Sequence, residues 1–184
     1  MIPSALIPTA DGFEEIELVS IVDILRRAGA YVALASVTSS LNLTGGHGIN
    51  IRCDSFLNEC QTNIWDMITL AGGTQNAETL SRCQLLIEML KNQKNTGRWY
   101  ASICASPALV FEPHNLLENE KATCYPKFFE RLKEKGIKEK VVVSNKCITG
   151  QGPGSSIEFA LVLVEKLFNK QKAMEIAKAI IFKK

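Results

Sequence analysis

Short apolar runs alternate with longer amphipathic stretches along the whole chain, and this alternation predicts the architecture. Ser4-Ala5-Leu6-Ile7, between Pro3 and Pro8, reads as a buried strand, Thr9 to Phe13 as a turn and Glu14 to Ala28 as a helix. Gly29 stands where a glycine ends a helix. Tyr31 to Val37 is a β-rich run. Residues 38–63 are mixed, with a turn over Thr44-Gly45-Gly46-His47-Gly48 and a strand over Ile49 to Arg52. Asp66 to Leu70 is a second buried strand, followed by Ala71-Gly72-Gly73-Thr74. A long helix is expected over Leu80 to Asn95, then a strand over Arg98 to Ile103 and a helix after Cys104. Lys127 to Lys135 reads as helical, and Val141 to Ser144 and Cys147 to Thr149 as short strands. Ser155 to Phe168 is a strongly apolar helix whose Ser155 and Glu158 fit a capping box, and Ala173 to Phe182 is the last helix. Alternating strands and helices predict an α/β fold with a mostly parallel sheet covered on both faces, as one domain over residues 1–184. In such folds the loops at the carboxyl ends of strands build the site. Thr9 to Glu14, Ala71 to Thr74 and Cys104 all fall at such ends.

Cys104 closes the strand run and opens a helix in which Pro107 is tolerated because its missing N–H would be unpaired anyway. A sulfur at that corner sits beside the free N–H groups of the helix start, which favour the thiolate. The position suggests a nucleophile or an oxidant sensor, while a buried cysteine that only packs fits it equally. The formal net charge of +2 gives no argument for nucleic acid, and no apolar run approaches membrane-spanning length. With no secretion signal to read, a cytoplasmic protein is expected. Six scattered cysteines form no Cys-x-x-Cys pair, and only His47 and His114 could complete a metal site, so neither a disulfide framework nor a bound metal is expected.

Two further features converge on Cys104. At about 100° per residue, Glu15, Ser20, Asp23, Arg26 and Arg27 share one helix face, whereas Glu17 falls with Ile21, Leu25 and Ala28 on the core-facing side. A carboxyl buried there would hold its proton and could donate it to a thiolate, or shuttle it near neutral pH. The alternative is that Glu17 caps the helix or reaches solvent. Gly72 and Gly73 allow a sharp turn that offers backbone N–H groups to a ligand oxygen, with the Ala105 N–H as the second donor of an oxyanion hole.

Assembled, these residues resemble the DJ-1/PfpI superfamily, and within it the DJ-1 (PARK7-like) branch. Ala5-Leu6-Ile7 with Gly12-Phe13-Glu14-Glu15-Ile16-Glu17 is similar to its opening strand and acidic turn. Val22 to Gly29 is similar to its first helix, and Leu70-Ala71-Gly72-Gly73 to its Pro-Gly-Gly loop with Ala71 in place of proline. Ala101 to Pro107 resembles the cysteine elbow, and Gly152-Pro153-Gly154-Ser155-Ser156-Ile157-Glu158-Phe159 a Gly-Pro-Gly-Thr-x-x-Glu-Phe stretch. The resemblance implies a flavodoxin-like three-layer sandwich, a homodimer, and a low-pKa cysteine bonded to a protonated Glu and readily oxidised to sulfinate. It assigns Cys104 and Glu17 the catalytic roles, without cofactor. In Ala122-Thr123-Cys124-Tyr125-Pro126, Tyr125 stands where many members carry a histidine, which argues against a Cys-His peptidase. His47 falls about where relatives have an arginine that can reach the partner subunit's site. His114 reads as a surface or helix-end residue.

The function so implied is cysteine-dependent detoxification of 2-oxoaldehydes such as methylglyoxal, with glycated amino groups as a variant substrate. The alternative is a redox-sensing holdase that protects client proteins once Cys104 is oxidised.

Overall fold

The computed structural model describes residues 2–183. Its strands are β1 (Ser4–Thr9), β2 (Tyr31–Ser36), β3 (Asn42–Thr44), β4 (Asn50–Arg52), β5 (Ser55–Phe56), β6 (Met67–Leu70), β7 (Trp99–Ile103), β8 (Val141–Ser144) and β9 (Cys147–Gly150). The helices are α1 (Glu15–Arg27), α2 (Leu57–Cys60), α3 (Thr74–Arg82), α4 (Gln84–Asn95), α5 (Ser156–Leu167) and α6 (Lys170–Ala179). Seven strands form one sheet in the order β5-β2-β1-β6-β7-β9-β8, with β3 and β4 as a separate hairpin. All pairings in the large sheet are parallel except β8 with β9. The expected mostly parallel, flavodoxin-like α/β sandwich is therefore the observed one.

Strands β1, β2, β6 and β7 are apolar almost throughout because helices cover the sheet on both sides. Helix α1 packs on α5 and α5 on α6, while α3 and α4 pack with Pro107–Phe111 against the β6–β7 side. Phe13, Tyr100, Phe111 and Phe159 are among the largest fully buried side chains. Each such burial stabilises the fold by about 1.5–3 kcal/mol. The strand order reverses between β1 and β6, where α/β sheets open a crevice at their carboxyl ends. Register then levels the site. Leu70 of β6 pairs with Ser102 of β7, so Gly72 and Cys104 leave the sheet at the same height.

Several expected boundaries are corrected. The helix placed at Leu80 to Asn95 is two helices, interrupted at Cys83, whose backbone is extended. The first of them starts earlier, at Thr74, because polar Asn76 is buried by hydrogen bonds rather than by apolar contact. Beyond Cys104 the helical turns are short and wide, with the Glu112 N–H reaching back to Pro107 O. Pro126–Lys135 forms tight turns broken by a left-handed Lys133, not a regular helix. The Ser155–Glu158 capping box does not form: Ser155 Oγ pairs with the Gly152 backbone, and Glu158 lies 3.6 Å from Lys140 Nζ. The last helix begins at Lys170, capped by the Asn169 side chain, rather than at Ala173.

Candidate active site

Cys104 occupies the corner between β7 and the following turns with φ of 65°, a left-handed conformation for a residue with a Cβ. Such backbone costs of order 1–2 kcal/mol and persists only where neighbours over-determine it. Here the Cys104 N–H donates to Gly150 O at 3.0 Å and its carbonyl accepts from the Tyr125 N–H at 2.7 Å. The turn aims the sulfur at the β6–α3 loop, and the residue keeps 7% of its surface exposed.

Glu17 meets it from α1. The side chain has no exposed surface, as its place on the core-facing stripe predicts. Oε2 accepts the Gly72 N–H at 2.7 Å. Among the described residues Oε1 finds no other polar partner, and the carboxyl faces the Cys104 thiol. A proton on Oε1 would make it a donor to that sulfur, which removes the only unpaired polar atom of the pair. Burial raises the Glu17 carboxyl to about 7, against the lowering effect of its bonds to Cys104 and Gly72, and the nearby charge of Glu14 raises it further.

The amides at the corner lower the Cys104 pKa as expected, but burial outweighs them. Burial pushes the thiol well above its ordinary value, and an ionised Glu17 beside it pushes the same way. The N–H groups of Gly73 and Ala105 pull it down. The two groups titrate as a pair that shares one proton. Two amides face the sulfur and one faces the carboxyl, which offsets part of the burial cost of a thiolate whenever Glu17 holds the proton.

Gly72 has a different place from the one its sequence suggests. Its N–H orients the acid instead of standing free for a substrate oxygen. A Cβ there would lie 2.7 Å from Glu17 Oε2 and 3.0 Å from Cys104 Sγ, so glycine is what allows acid and sulfur to meet. Gly72→Ala is expected to force the pair apart, cutting thiol alkylation at pH 7.5 by at least about tenfold and destabilising the fold by about 1–3 kcal/mol. An unchanged alkylation rate would show that the pair tolerates separation.

Tyr125 sits next to Cys104 through its backbone, while its ring, 42% exposed, lies over Gly152. With Lys140, Gln151 and Pro153 it lines a cleft of about 370 Å³. His47, at the tip of the β3–β4 hairpin, is not brought to Cys104: its Nδ1 lies 2.8 Å from Glu15 Oε2. His114 is half-buried against Ser81, bonding its Oγ and carbonyl. Glu15, placed by the helical wheel on the solvated face, is instead buried under the hairpin. Desolvation raises its carboxyl, yet the bonds from the His47 ring and backbone outweigh that and hold it at about 2. Sequence reasoning also missed Ser106, whose Oγ donates to Ala71 O at 2.6 Å and ties the elbow to the glycine loop. A small hydroxyl directly after a strand-to-helix corner was the available signal.

The profile of the DJ-1/PfpI family matches residues 3–166. Protein DJ-1 homolog B of Arabidopsis thaliana is 42% identical over 97% of this chain, which spans only 41% of that relative. The glutathione-independent glyoxalase DJR-1.2 of Caenorhabditis elegans is 32% identical over 97% of this chain and 95% of its own length. The structure of oxidized Toxoplasma gondii DJ-1 superposes with a TM-score of 0.97 at 40% identity, covering 99% of this chain and 100% of that one.

Proposed function

The chain belongs to the DJ-1/PfpI family, and from that premise we propose that it converts 2-oxoaldehydes such as methylglyoxal to 2-hydroxy acids, using Cys104 and Glu17 and no glutathione, with residues 1–184 acting as one domain. The observation that carries this reading is the Glu17 carboxyl held against Cys104, with Oε1 given no other partner among the described residues. A relative of similar length named a glutathione-independent glyoxalase supports it.

The chemistry follows from the pair. The thiolate adds to the aldehyde carbon, forming a C–S bond, and the resulting alkoxide takes the Glu17 proton. The Gly73 and Ala105 amides, aimed at the sulfur beforehand, follow the charge to that oxygen. Ionised Glu17 then removes the hydrogen from the former aldehyde carbon as a proton and returns it to the adjacent ketone carbon through an enediol. The product is a 2-hydroxyacyl thioester. Water cleaves the C–S bond, releasing the hydroxy acid and regenerating thiolate and acid. Glycated amino groups would enter through the same attack. Lactate formation from methylglyoxal without glutathione tests this, and its absence in the reduced wild-type protein overturns it.

A second reading, a redox-regulated holdase, draws on Cys104, which keeps 7% of its surface exposed, and on the relative solved in an oxidised form. Under that reading mild peroxide adds client protection, whereas an enzyme only loses turnover.

A homodimer is part of the proposal. Ile16 and Val19 of α1 and Ile49 of the hairpin are 58%, 53% and 54% exposed. Ile16 and Val19 lie three residues apart on one face of α1, and we assign that exposed apolar face to the dimer contact. Ile16→Glu with Val19→Glu is expected to weaken self-association by roughly 30-fold or more, read by analytical ultracentrifugation. An unchanged dissociation constant would put the interface elsewhere.

A further inference from the structure

Both walls of the cleft beside Tyr125 are tied to the Cys104 corner. The Tyr125 N–H donates to the Cys104 carbonyl at 2.7 Å, and the Cys104 N–H donates to the carbonyl of Gly150, just ahead of Gly152 in the chain. Tyr125, Pro126, Gln151, Gly152, Pro153 and Gly154 line a volume of about 370 Å³. Small-molecule sites run from ~300 to ~1,000 Å³, so this space is far larger than the methyl group of methylglyoxal needs.

The Tyr125 ring is free to receive a flat partner. Among the described residues, Tyr31 and Tyr125 are the exposed aromatic side chains, and Tyr31 already stacks on Trp65 with centroids 5.9 Å apart. Just beyond Tyr125, Lys127 and Arg131 lie over the Phe128 ring and Lys138 over the Phe129 ring. Tyr125 itself carries no ring or cation over it among the described residues. Its backbone is fixed on both sides, since its carbonyl also accepts the Phe128 N–H at 2.9 Å. A side chain anchored this way loses little freedom when something stacks on it.

The remaining lining favours a neutral, planar group. Prolines and glycines make rigid walls of low relief, and Ser155 Oγ is taken up by the Gly152 backbone. Lys140 supplies the one cation of the lining, but Glu158 Oε2 stands 3.6 Å from its Nζ, so an anion would have to compete with that carboxylate.

We propose that Tyr125 and the Gly152–Gly154 turn form an aryl subsite, which makes 2-oxoaldehydes bearing an aromatic substituent better substrates than methylglyoxal. The assignment rests on the conversion proposed above: the aldehyde carbon meets Cys104 while the group on the ketone carbon stacks on Tyr125. The bond changes are the same, with one water taken up and a 2-aryl-2-hydroxy acid released.

The test reads Cys104 directly in the full chain. Alkylation by 2-bromoacetophenone and by bromoacetone is followed by peptide mass spectrometry, each rate divided by that of N-acetylcysteine. In both reactions the sulfur forms one C–S bond and bromide leaves. Wild type is expected to favour the aryl reagent about fivefold or more, the strength of one aromatic stack. Tyr125→Ala and Tyr125→Leu should each bring the preference close to one with far-UV circular dichroism unchanged, and Tyr125→Phe should keep it. The ratio of kcat/KM for phenylglyoxal to that for methylglyoxal should fall by a similar factor in Tyr125→Ala, through KM. A wild-type preference near one, or the wild-type preference persisting in both Tyr125→Ala and Tyr125→Leu, would overturn the subsite. Lactate formed without the aryl preference refutes the subsite alone, and the aryl preference without lactate refutes the conversion alone.

Discussion

Cys104→Ser is expected to lose methylglyoxal turnover by at least roughly 10³-fold, as removal of a covalent nucleophile does elsewhere. The substitution keeps the Cβ, the left-handed corner and the amides of Gly73 and Ala105, so the fold and the cleft beside Tyr125 should survive. What disappears is the ionisable atom. A serine hydroxyl is a far weaker acid than a thiol, and a carboxyl that titrates near 7 cannot take its proton to any useful extent. Purified variant and wild type would be compared for lactate formation under reducing conditions. Turnover within about tenfold of wild type would remove Cys104 from the mechanism.

Glu17→Gln should separate activity from stability. The amide still accepts the Gly72 N–H and can donate to the sulfur, but it cannot carry a proton back and forth. Turnover is expected to fall by roughly 10²–10⁴. Stability should move the other way above neutrality. The native pair releases its first proton near 7, against 4.5 for an exposed Glu, so the folded chain holds that proton more tightly than the unfolded one. The associated stabilisation is complete below pH 4.5 and is lost as pH rises to 7, a swing of about 3 kcal/mol. The Gln variant has no such proton to lose. Urea unfolding at pH 5 and pH 8 should therefore show a drop for wild type and a much flatter response for Glu17→Gln. Parallel profiles would mean that Glu17 is not the group that titrates.

The central strands were legible because burial on both faces writes β1, β6 and β7 as continuous apolar runs. Glu17 was legible as a charged residue on an apolar stripe. Glu15 was not, because what buries it is a hairpin more than thirty residues away, reached through His47. Asn76 hid the start of α3 for the same reason: its burial is compensated by the backbone of Ala10, Ala71 and Gly72, and hydropathy reads only apolar compensation. The role of the Gly72 N–H was likewise invisible, since a glycine pair in sequence says where the chain can turn and not which acceptor its amide will find. The burial that opposes the thiolate was not legible, because helix-start electrostatics is a local rule, whereas desolvation by the surrounding core is not.

The left-handed backbone at Cys104 has one more implication. Its geometry is kept by Gly150, at the end of the neighbouring strand β9, and by Tyr125, from a segment that runs on into exposed turns. The poise of the sulfur thus belongs to the tertiary structure, and a nick or loosening near residue 125 would relax the corner while leaving the sheet standing. Alkylation speed at this one atom becomes a gauge of how tightly the molecule is wound, and would fall before any spectroscopic sign of unfolding.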